Sequence, residues 1–205
     1  MKNLITAMMF FPVLCFGQVQ SHDIRYANET TYDYVFRHRN NPDKVKEIKW
    51  NDYNIILAFY ESVGTVYDSD NKPEEISKID IAFYAQVSDF SYLEISLPSF
   101  GAAGGKAEIL SIFQANADKD PEKELFILAS FKQTDDTMNG TRYYTLVFDN
   151  LPKDYRQFPE SFIQMDISTT FSGCDCKING QHPTEAKFTT SAEIREELEK
   201  RGFKQ

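Results

Sequence analysis

Runs of β-branched and aromatic residues recur along most of the chain and are separated by polar turns, a pattern typical of antiparallel β proteins. Turn signals occur at residues 40–43, 98–106 and 133–140. The polar, mixed stretch 18–45 carries a few aromatic residues that are expected to anchor a strand or a turn. The predicted strands are residues 53–67 (one or two strands), 78–87, 92–97, 109–115, 124–131, 142–148, 161–171 and 185–189.

The C-terminal residues show the signature of a helix. Thr190 is followed three positions later by Glu193, which makes a capping box, and Gly202 stands where a helix is expected to end. The apolar face of this helix comprises Ala192, Ile194 and Leu198. The sequence therefore predicts a mainly β fold of antiparallel, sandwich-like sheets with a C-terminal α-helix. A helix over residues 53–67, whose apolar positions alternate poorly, would give the alternative, an α+β fold.

The chain is long and apolar enough to bury a sizeable core. It has 205 residues, of which 41% are hydrophobic and 14% aromatic. Such a composition argues against extensive disorder. Because the composition does not change sharply along the chain, a single domain over residues 18–205 is expected.

The first residues have the pattern of a secretory signal peptide. Lys2 supplies the positive charge, and Leu4–Phe16 is apolar but too short to span a bilayer. Cleavage is expected before Gln18, so that residues 1–17 are removed and the protein is periplasmic or secreted. Lipid anchoring at Cys15 is the alternative. Since no later stretch is long and apolar enough, no transmembrane segment is expected.

The net charge narrows the choice of partners. The whole chain carries a formal charge of −9 at pH 7, and removal of the signal peptide takes away Lys2 and leaves −10. A strongly acidic surface repels phosphate backbones, so no nucleic-acid partner is expected. A protein with a basic surface, or a divalent cation, is compatible with this charge.

After signal cleavage two cysteines remain, Cys174 and Cys176. An oxidising compartment favours a disulfide between them. Free or differently paired thiols are a second possibility. A metal or redox role is a third, although Zn²⁺ would need two further ligands.

The segment between the predicted strands 109–115 and 124–131 carries the main candidate chemistry. Asn116, Asp118, Asp120 and Glu124 place oxygen-bearing side chains at positions 1, 3, 5 and 9 of a short loop. Ca²⁺ takes six to eight oxygen ligands, and a compact acidic loop can supply several of them. The alternative is a solvated acidic turn that binds nothing.

This loop resembles the calcium loops of FG-GAP and VCBS type repeats, as found in integrin-like β-propellers. The resemblance covers about 20 residues, and a single loop does not imply a propeller. It implies that Asn116, Asp118, Asp120 and Glu124 are side-chain ligands of calcium. It also implies a backbone ligand, the carbonyl of Glu122. The chain departs from the repeat pattern in having Pro121 in place of glycine and a glutamate as the last carboxylate.

None of the histidines or serines stands in a recognised catalytic motif. The expected function is therefore non-enzymatic: an exported binding or accessory module stabilised by one calcium ion. The alternative is an acidic inhibitor or immunity-type protein that covers a basic toxin or hydrolase. A hydrolase would instead require a cleft with a carboxylate or histidine of perturbed pKa.

Overall fold

The elements of secondary structure follow the apolar runs of the sequence. In a computed structural model, the structure describes residues 19–67, 71–97, 99–103, 105, 107–134, 138–149, 151, 163–178 and 182–205. The elements are β1 Val19–Ile24, α1 Thr31–His38, β2 Lys44–Trp50, β3 Tyr53–Tyr67, β4 Pro73–Gln86, β5 Ser91–Ser96, β6 Phe100–Ala103, β7 Ala107–Ala115, β8 Glu124–Thr134, β9 Met138–Phe148, α2 Met165–Thr170, β10 Gly173–Ile178 and α3 Ser191–Lys200. The expected signal peptide, residues 1–17, lies outside the described residues.

The described strands form two antiparallel sheets. The larger sheet has the order β1-β5-β4-β3-β2, with β6 also paired to β4, and the smaller sheet has the order β10-β9-β8-β7. The predicted class, mainly β with antiparallel sheets and a C-terminal helix, is confirmed. Residues 53–67, which the α+β alternative required to be helical, form one strand of 15 residues.

The two sheets pack face to face across one apolar core. Ile55, Leu57 and Phe59 of β3 contribute to this core because successive side chains of a strand point to opposite faces. The residues that β8 contributes are Leu125, Ile127, Ala129 and Phe131. The core fixes the distance between the sheets and therefore the position of the loops at their ends.

Helix α1 covers the outer face of the larger sheet, where the sequence predicted a strand or turn. The Thr30 hydroxyl caps the helix by accepting a hydrogen bond from the backbone N–H of Asp33 (3.1 Å). Tyr34 and Val35 of α1 are buried against this face. The prediction was wrong because the helix is short and is stabilised by the packing of Tyr34 and Val35 on a sheet that is distant in sequence. The sheet residues beneath it are Ile56, Ala58, Tyr60, Ala82, Tyr84 and Tyr92.

Helix α3 covers the outer face of the smaller sheet, and both of its predicted ends are confirmed. Thr190 and Glu193 form the capping box. At the other end Gly202 has φ +95°, a conformation that favours glycine, and the N–H of Phe203 bonds the carbonyl of Leu198 (3.0 Å). Helix residues Ile194 and Leu198 pack against Phe126 and Leu128 of β8, whereas Ala192 is exposed.

Two predicted late strands are not observed among the residues that the structure describes. Residues 165–170 of the predicted strand 161–171 form helix α2, and residues 161 and 162 lie outside the described part of the chain. The Ser168 hydroxyl of this helix accepts a hydrogen bond from the N–H of Val147 (3.0 Å). Residues 185–189 contain no strand; a single bridge joins Thr184 to Cys176. Both segments lie beside the smaller sheet, so their aromatic residues pack without joining a ladder.

Candidate metal centre

Three carboxylates meet at one end of the smaller sheet. Asp118 lies in the loop between β7 and β8, Glu124 is the first residue of β8, and Asp149 directly follows β9. One carboxylate oxygen from each residue lies within 4.8 Å of the other two. Strand register produces this meeting: Leu125 pairs with Phe148, so the next residues outward, Glu124 and Asp149, are neighbours. We call these three residues the acidic triad.

Glu124 is the most unusual member of the acidic triad because its side chain is only 1% exposed. Its Oε2 accepts a hydrogen bond from the backbone N–H of Ala117. Its Oε1 is buried and has no hydrogen-bond partner among the residues that the structure describes. Burial, followed by the nearby charges of Asp118 and Asp120, raises the pKa of the Glu124 carboxyl to about 7. A buried carboxylate oxygen without a partner is costly unless a cation or proton compensates it.

The neighbouring carboxylate of Asp118 is destabilised in the same way. Burial and the negative charges of Asp120 and Asp149 raise the pKa of Asp118, against the hydrogen bond that its Oδ1 accepts from the N–H of Asp120 (2.8 Å). A positive ion between the carboxylates would relieve both effects at once. The acidic triad could therefore hold a metal ion.

Hydrogen bonds within the loop fix the direction of its acidic side chains. Asp120 Oδ1 accepts the N–H of Glu122 (3.0 Å), and the Asn116 side-chain amide donates weakly to the carbonyl of Asp120 (3.4 Å). The Oδ1 of Asn116 is buried and likewise has no hydrogen-bond partner among the described residues. Two buried, unsatisfied oxygens thus belong to one short loop.

Two distant parts of the chain hold this loop from outside. In the β2–β3 turn, the indole N–H of Trp50 and the side-chain amide of Asn51 both donate to the carbonyl of Lys123. The Asn51 side-chain oxygen accepts the Lys123 N–H in return (3.1 Å). On the other side, the side-chain amide of Gln205 accepts the N–H of Asn116 (3.2 Å) and donates to its carbonyl (3.0 Å). The site is therefore supported before any ligand binds.

Some of the calcium ligands predicted from the sequence belong to the acidic triad, and others do not. Asp118 and Glu124 belong to the acidic triad, and Asn116 lies at the start of the same loop. Asp120 does not belong to the triad. The prediction for Glu122 concerned its backbone carbonyl and stays a prediction.

Sequence reasoning missed Asp149, the third carboxylate. The predicted strands 124–131 and 142–148, joined by the predicted turn 133–140, contained the necessary signal. Antiparallel pairing of these two strands places Glu124, at the start of the first strand, opposite Asp149, directly after the end of the second.

The two remaining cysteines lie on β10, at the edge of the smaller sheet and away from the acidic triad. Cys174 and Cys176 form a disulfide with a Cα–Cα distance of 5.2 Å. The neighbouring strand approaches closely at Gly140, where a Cβ atom would come within 2.6 Å of the Cα of Cys176. A side chain at position 140 would therefore push β10 away from β9.

A cleft on the larger sheet is a possible alternative site, but its polar groups already bond each other. The Asn54 amide donates to Gln86 (2.7 Å), and the Glu47 carboxylate accepts from Thr31 and Arg25 (2.6 and 2.7 Å). These bonds, that from Thr31 foremost, lower the pKa of Glu47. The cleft has a volume of about 320 Å³ and is lined by Glu47, Ile48, Lys49, Asn54, Ile55, Ile56, Gln86 and Tyr92.

Comparisons of the chain with protein-family models, curated proteins and solved structures found no match. Among the described residues, no helix has both the length and the apolar character needed to cross a membrane.

Proposed function

We propose that the protein is an exported, non-enzymatic binding or accessory module that one calcium ion stabilises at the acidic triad. The observation that carries the proposal is the buried Oε1 of Glu124, which has no partner in the described chain and adjoins two further carboxylates. Export rests on the signal-peptide pattern of residues 1–17.

Calcium fits the donor set better than the other common divalent cations. The available donors are carboxylate and amide oxygens, which suit hard cations rather than zinc or copper. The triad supplies three carboxylates, and Asn116 has a buried side-chain oxygen close by in the same loop. Ca²⁺ tolerates irregular geometry and completes its shell with water, whereas Mg²⁺ demands near-octahedral coordination. The resemblance to FG-GAP and VCBS calcium loops points in the same direction.

The burial of Glu124 favours a stabilising role over a catalytic one. A carboxylate with a pKa near 7 is a candidate general base, but it must reach a substrate. The side chain of Glu124 is almost wholly buried, so substrate contact would require the loop to open. Binding of a cation instead uses the carboxylate where it already lies.

Thermal unfolding of the mature protein in EDTA and in millimolar Ca²⁺ tests this proposal. For a dissociation constant of about 0.1 to 1 mM, the extracellular range, about 10 mM Ca²⁺ stabilises the folded state by roughly 1.4 to 2.7 kcal/mol. In a domain of this size the unfolding midpoint would rise by about 3 to 10 °C. Titration with Mg²⁺ alone serves as the comparison and should give a smaller rise.

Two conservative variants separate the acidic triad from the loop pattern. Asp149→Asn removes a carboxylate that only the structure identifies, and it should abolish the Ca²⁺-dependent rise. Asp120→Asn removes a carboxylate that only the loop resemblance identifies, keeps the oxygen that bonds Glu122, and should retain the rise. The opposite pattern would favour a loop-type site, and no rise in the wild-type protein would refute the calcium proposal.

A second candidate function is an acidic inhibitor or immunity-type protein that covers a basic toxin or hydrolase. It is favoured by the net charge and by the acidic residues of the β3–β4 hairpin, where Glu61, Glu74 and Glu75 are found. Salt-sensitive binding of a basic partner would support it, because exposed charges are screened as ionic strength rises.

A further inference from the structure

Strand β3 has two halves with different surroundings. Its first half, Tyr53–Phe59, lies between β2 and β4 and is hydrogen-bonded on both sides. Its second half, Glu61–Tyr67, continues to pair with β4, but no described strand lies along its other side. We call this second half the open edge.

The direction of the backbone groups follows from contacts at the boundary between the halves. Asp43, just before β2, donates its N–H to the carbonyl of Phe59 (2.9 Å) and accepts the N–H of Glu61 on its carboxylate (2.6 Å). In an antiparallel ladder alternate residues direct their N–H and C=O to the same side. The backbone groups of Val63, Thr65 and Tyr67 therefore face away from β4, toward the open edge.

The residues at these positions are exposed. Val63 is 68% exposed and Tyr67 is 67% exposed, and Thr65 is exposed as well. Edge strands are commonly protected by lysine, by proline or by a bulge. The open edge contains no lysine or proline, and its register with β4 shows no shift. Among the described residues, neither the composition nor the register of the open edge prevents an extended strand from pairing with it.

The charge of the protein near the open edge indicates which kind of strand could bind there. In the sequence, residues 61–78 contain five acidic residues and two lysines, and the whole chain has a formal charge of −9. A second copy of this chain would bring the same negative charge against the open edge. An extended segment with basic residues brings the opposite charge, which favours association.

We infer that the open edge, Glu61–Tyr67, binds an extended, lysine- or arginine-bearing segment of another protein by adding it as a further strand to the larger sheet. Backbone hydrogen bonds to Val63, Thr65 and Tyr67 supply affinity, and alternate side chains of the added strand supply specificity. Apolar residues of that segment would cover Val63 and Tyr67, and its basic residues would face exposed acidic side chains of β3 and β4, Glu61 and Glu75. The inference rests on the proposed binding function and names its partner class.

The probe is a capped, fluorescein-labelled peptide of about nine residues with alternating lysine and valine, long enough to cover seven ladder positions. Its binding is measured by fluorescence anisotropy at low and high salt. A peptide of the same sequence, N-methylated at every second residue along one edge, controls for attraction by charge alone. The wild-type protein should bind the unmodified peptide at least about tenfold more tightly than the methylated one, because methylation removes the ladder donors.

Variants of the open edge test its position. Thr65→Pro removes one outward N–H without taking a donor from the β3–β4 ladder, and it should weaken binding about tenfold. Thr65→Val, which keeps the N–H, should bind as the wild type does. Val63→Lys places a positive charge next to the lysines of the peptide, and this repulsion should also weaken binding. Circular dichroism of each variant confirms that the fold is retained.

The inference is overturned if the peptide does not bind, or if Thr65→Pro and Val63→Lys bind it as well as the wild type. It is also overturned if sedimentation shows that the protein forms a dimer that Thr65→Pro abolishes, since the occupant is then a second copy. Measuring peptide binding by the Asp149→Asn variant distinguishes failure of the calcium proposal from failure of the open-edge proposal. The acidic triad and the open edge lie toward opposite ends of β3, so failure of the calcium site should leave peptide binding unchanged.

Discussion

At the scale of single residues, Glu124 governs the behaviour of the candidate metal centre. Its folded-state pKa of about 7 lies above the value of 4.5 expected in the unfolded chain, because burial and the carboxylates of Asp118 and Asp120 disfavour its charge. In EDTA the folded protein therefore keeps a proton on Glu124 that the unfolded chain has lost between these two pH values. Stability contributed by this residue is complete below about pH 4.5 and is lost as the pH rises to about 7.

The size of this loss can be measured. A difference of about 2.5 pKa units corresponds to roughly 3 kcal/mol, or about 6 to 12 °C in the unfolding midpoint. The raised pKa values of Asp118 and Glu94 act in the same direction. Carboxylates with lowered pKa contribute their stability fully above about pH 4.5 and add no slope in this window. They are Glu29, Glu47, Asp80, Glu193 and Glu197.

The variant Glu124→Gln isolates the contribution of Glu124. It keeps an oxygen for the N–H of Ala117 but carries no charge. In EDTA at pH 8 we expect it to be more stable than the wild type by up to about 3 kcal/mol, and the difference should vanish near pH 4.5. It should also lose the Ca²⁺ response. Glu122→Gln, an exposed loop neighbour, should match the wild type throughout; a destabilised Glu124→Gln in EDTA would contradict the pKa argument.

Side-chain spacing predicted only part of the candidate site. The alternation of acidic residues from Asn116 to Glu124 pointed to this loop, and the loop contains two members of the acidic triad. The same spacing treated Asp120 as equivalent to Asp118, although Asp118 belongs to the acidic triad and Asp120 does not. Asp149 was not predicted because its position beside Glu124 depends on the pairing of β8 with β9. The spacing of residues within one loop does not show which strand pairs with the next.

At the scale of secondary-structure elements, elements with strong local sequence signals were predicted correctly, and an element that depends on tertiary contacts was not. The capping box and Gly202 of α3 were correct because helix ends are set by side chains within a few residues. Strands β3 and β8 were recognised from their long β-branched and aromatic runs. Helix α1 was missed because its stability comes from Tyr34 and Val35 packing on a distant sheet, and that tertiary contact leaves little local trace.

The C-terminal segment after α3 links the helix to the metal centre. Phe203 packs beside the residues under α3, and Gln205 makes two hydrogen bonds to the backbone of Asn116. Gln205→Ala removes both bonds, each worth about 1 kcal/mol net. Because loosening of the loop should be greater without the ion, we expect Ca²⁺ affinity to fall by about five- to tenfold.

Calcium titration followed by the fluorescence of Trp50 measures this affinity. Trp50 is the single tryptophan of the chain, and its indole donates to the carbonyl next to Glu124 in sequence. Lys204→Ala, at an exposed neighbouring position, is the matched control and should bind Ca²⁺ like the wild type. If Gln205→Ala and Lys204→Ala bind equally well, the C-terminal segment does not support the site.

At the scale of the whole molecule, the length of strand β3 separates the two proposed sites. Strand β3 extends from the Trp50–Asn51 turn beside the metal centre to the open edge, on the order of 40 Å away. The first half of β3 is buried on both faces, by the inter-sheet core and by α1. A rigid central segment therefore lies between a loop that an ion would order and an edge that a partner would cover.

Hydrogen exchange tests whether the effect of the ion is local. The amides of Ala117, Asp120 and Lys123 bond side chains of the loop or of Asn51, so they should exchange about 10- to 100-fold more slowly in millimolar Ca²⁺ than in EDTA, in line with the expected stabilisation. The open edge should exchange at the same rate in both. Asp149→Asn should lose the slowing at the loop. Uniform slowing across the sheets would mean that the ion stabilises only against global unfolding, and slowing at the open edge would show that the two sites are coupled through β3.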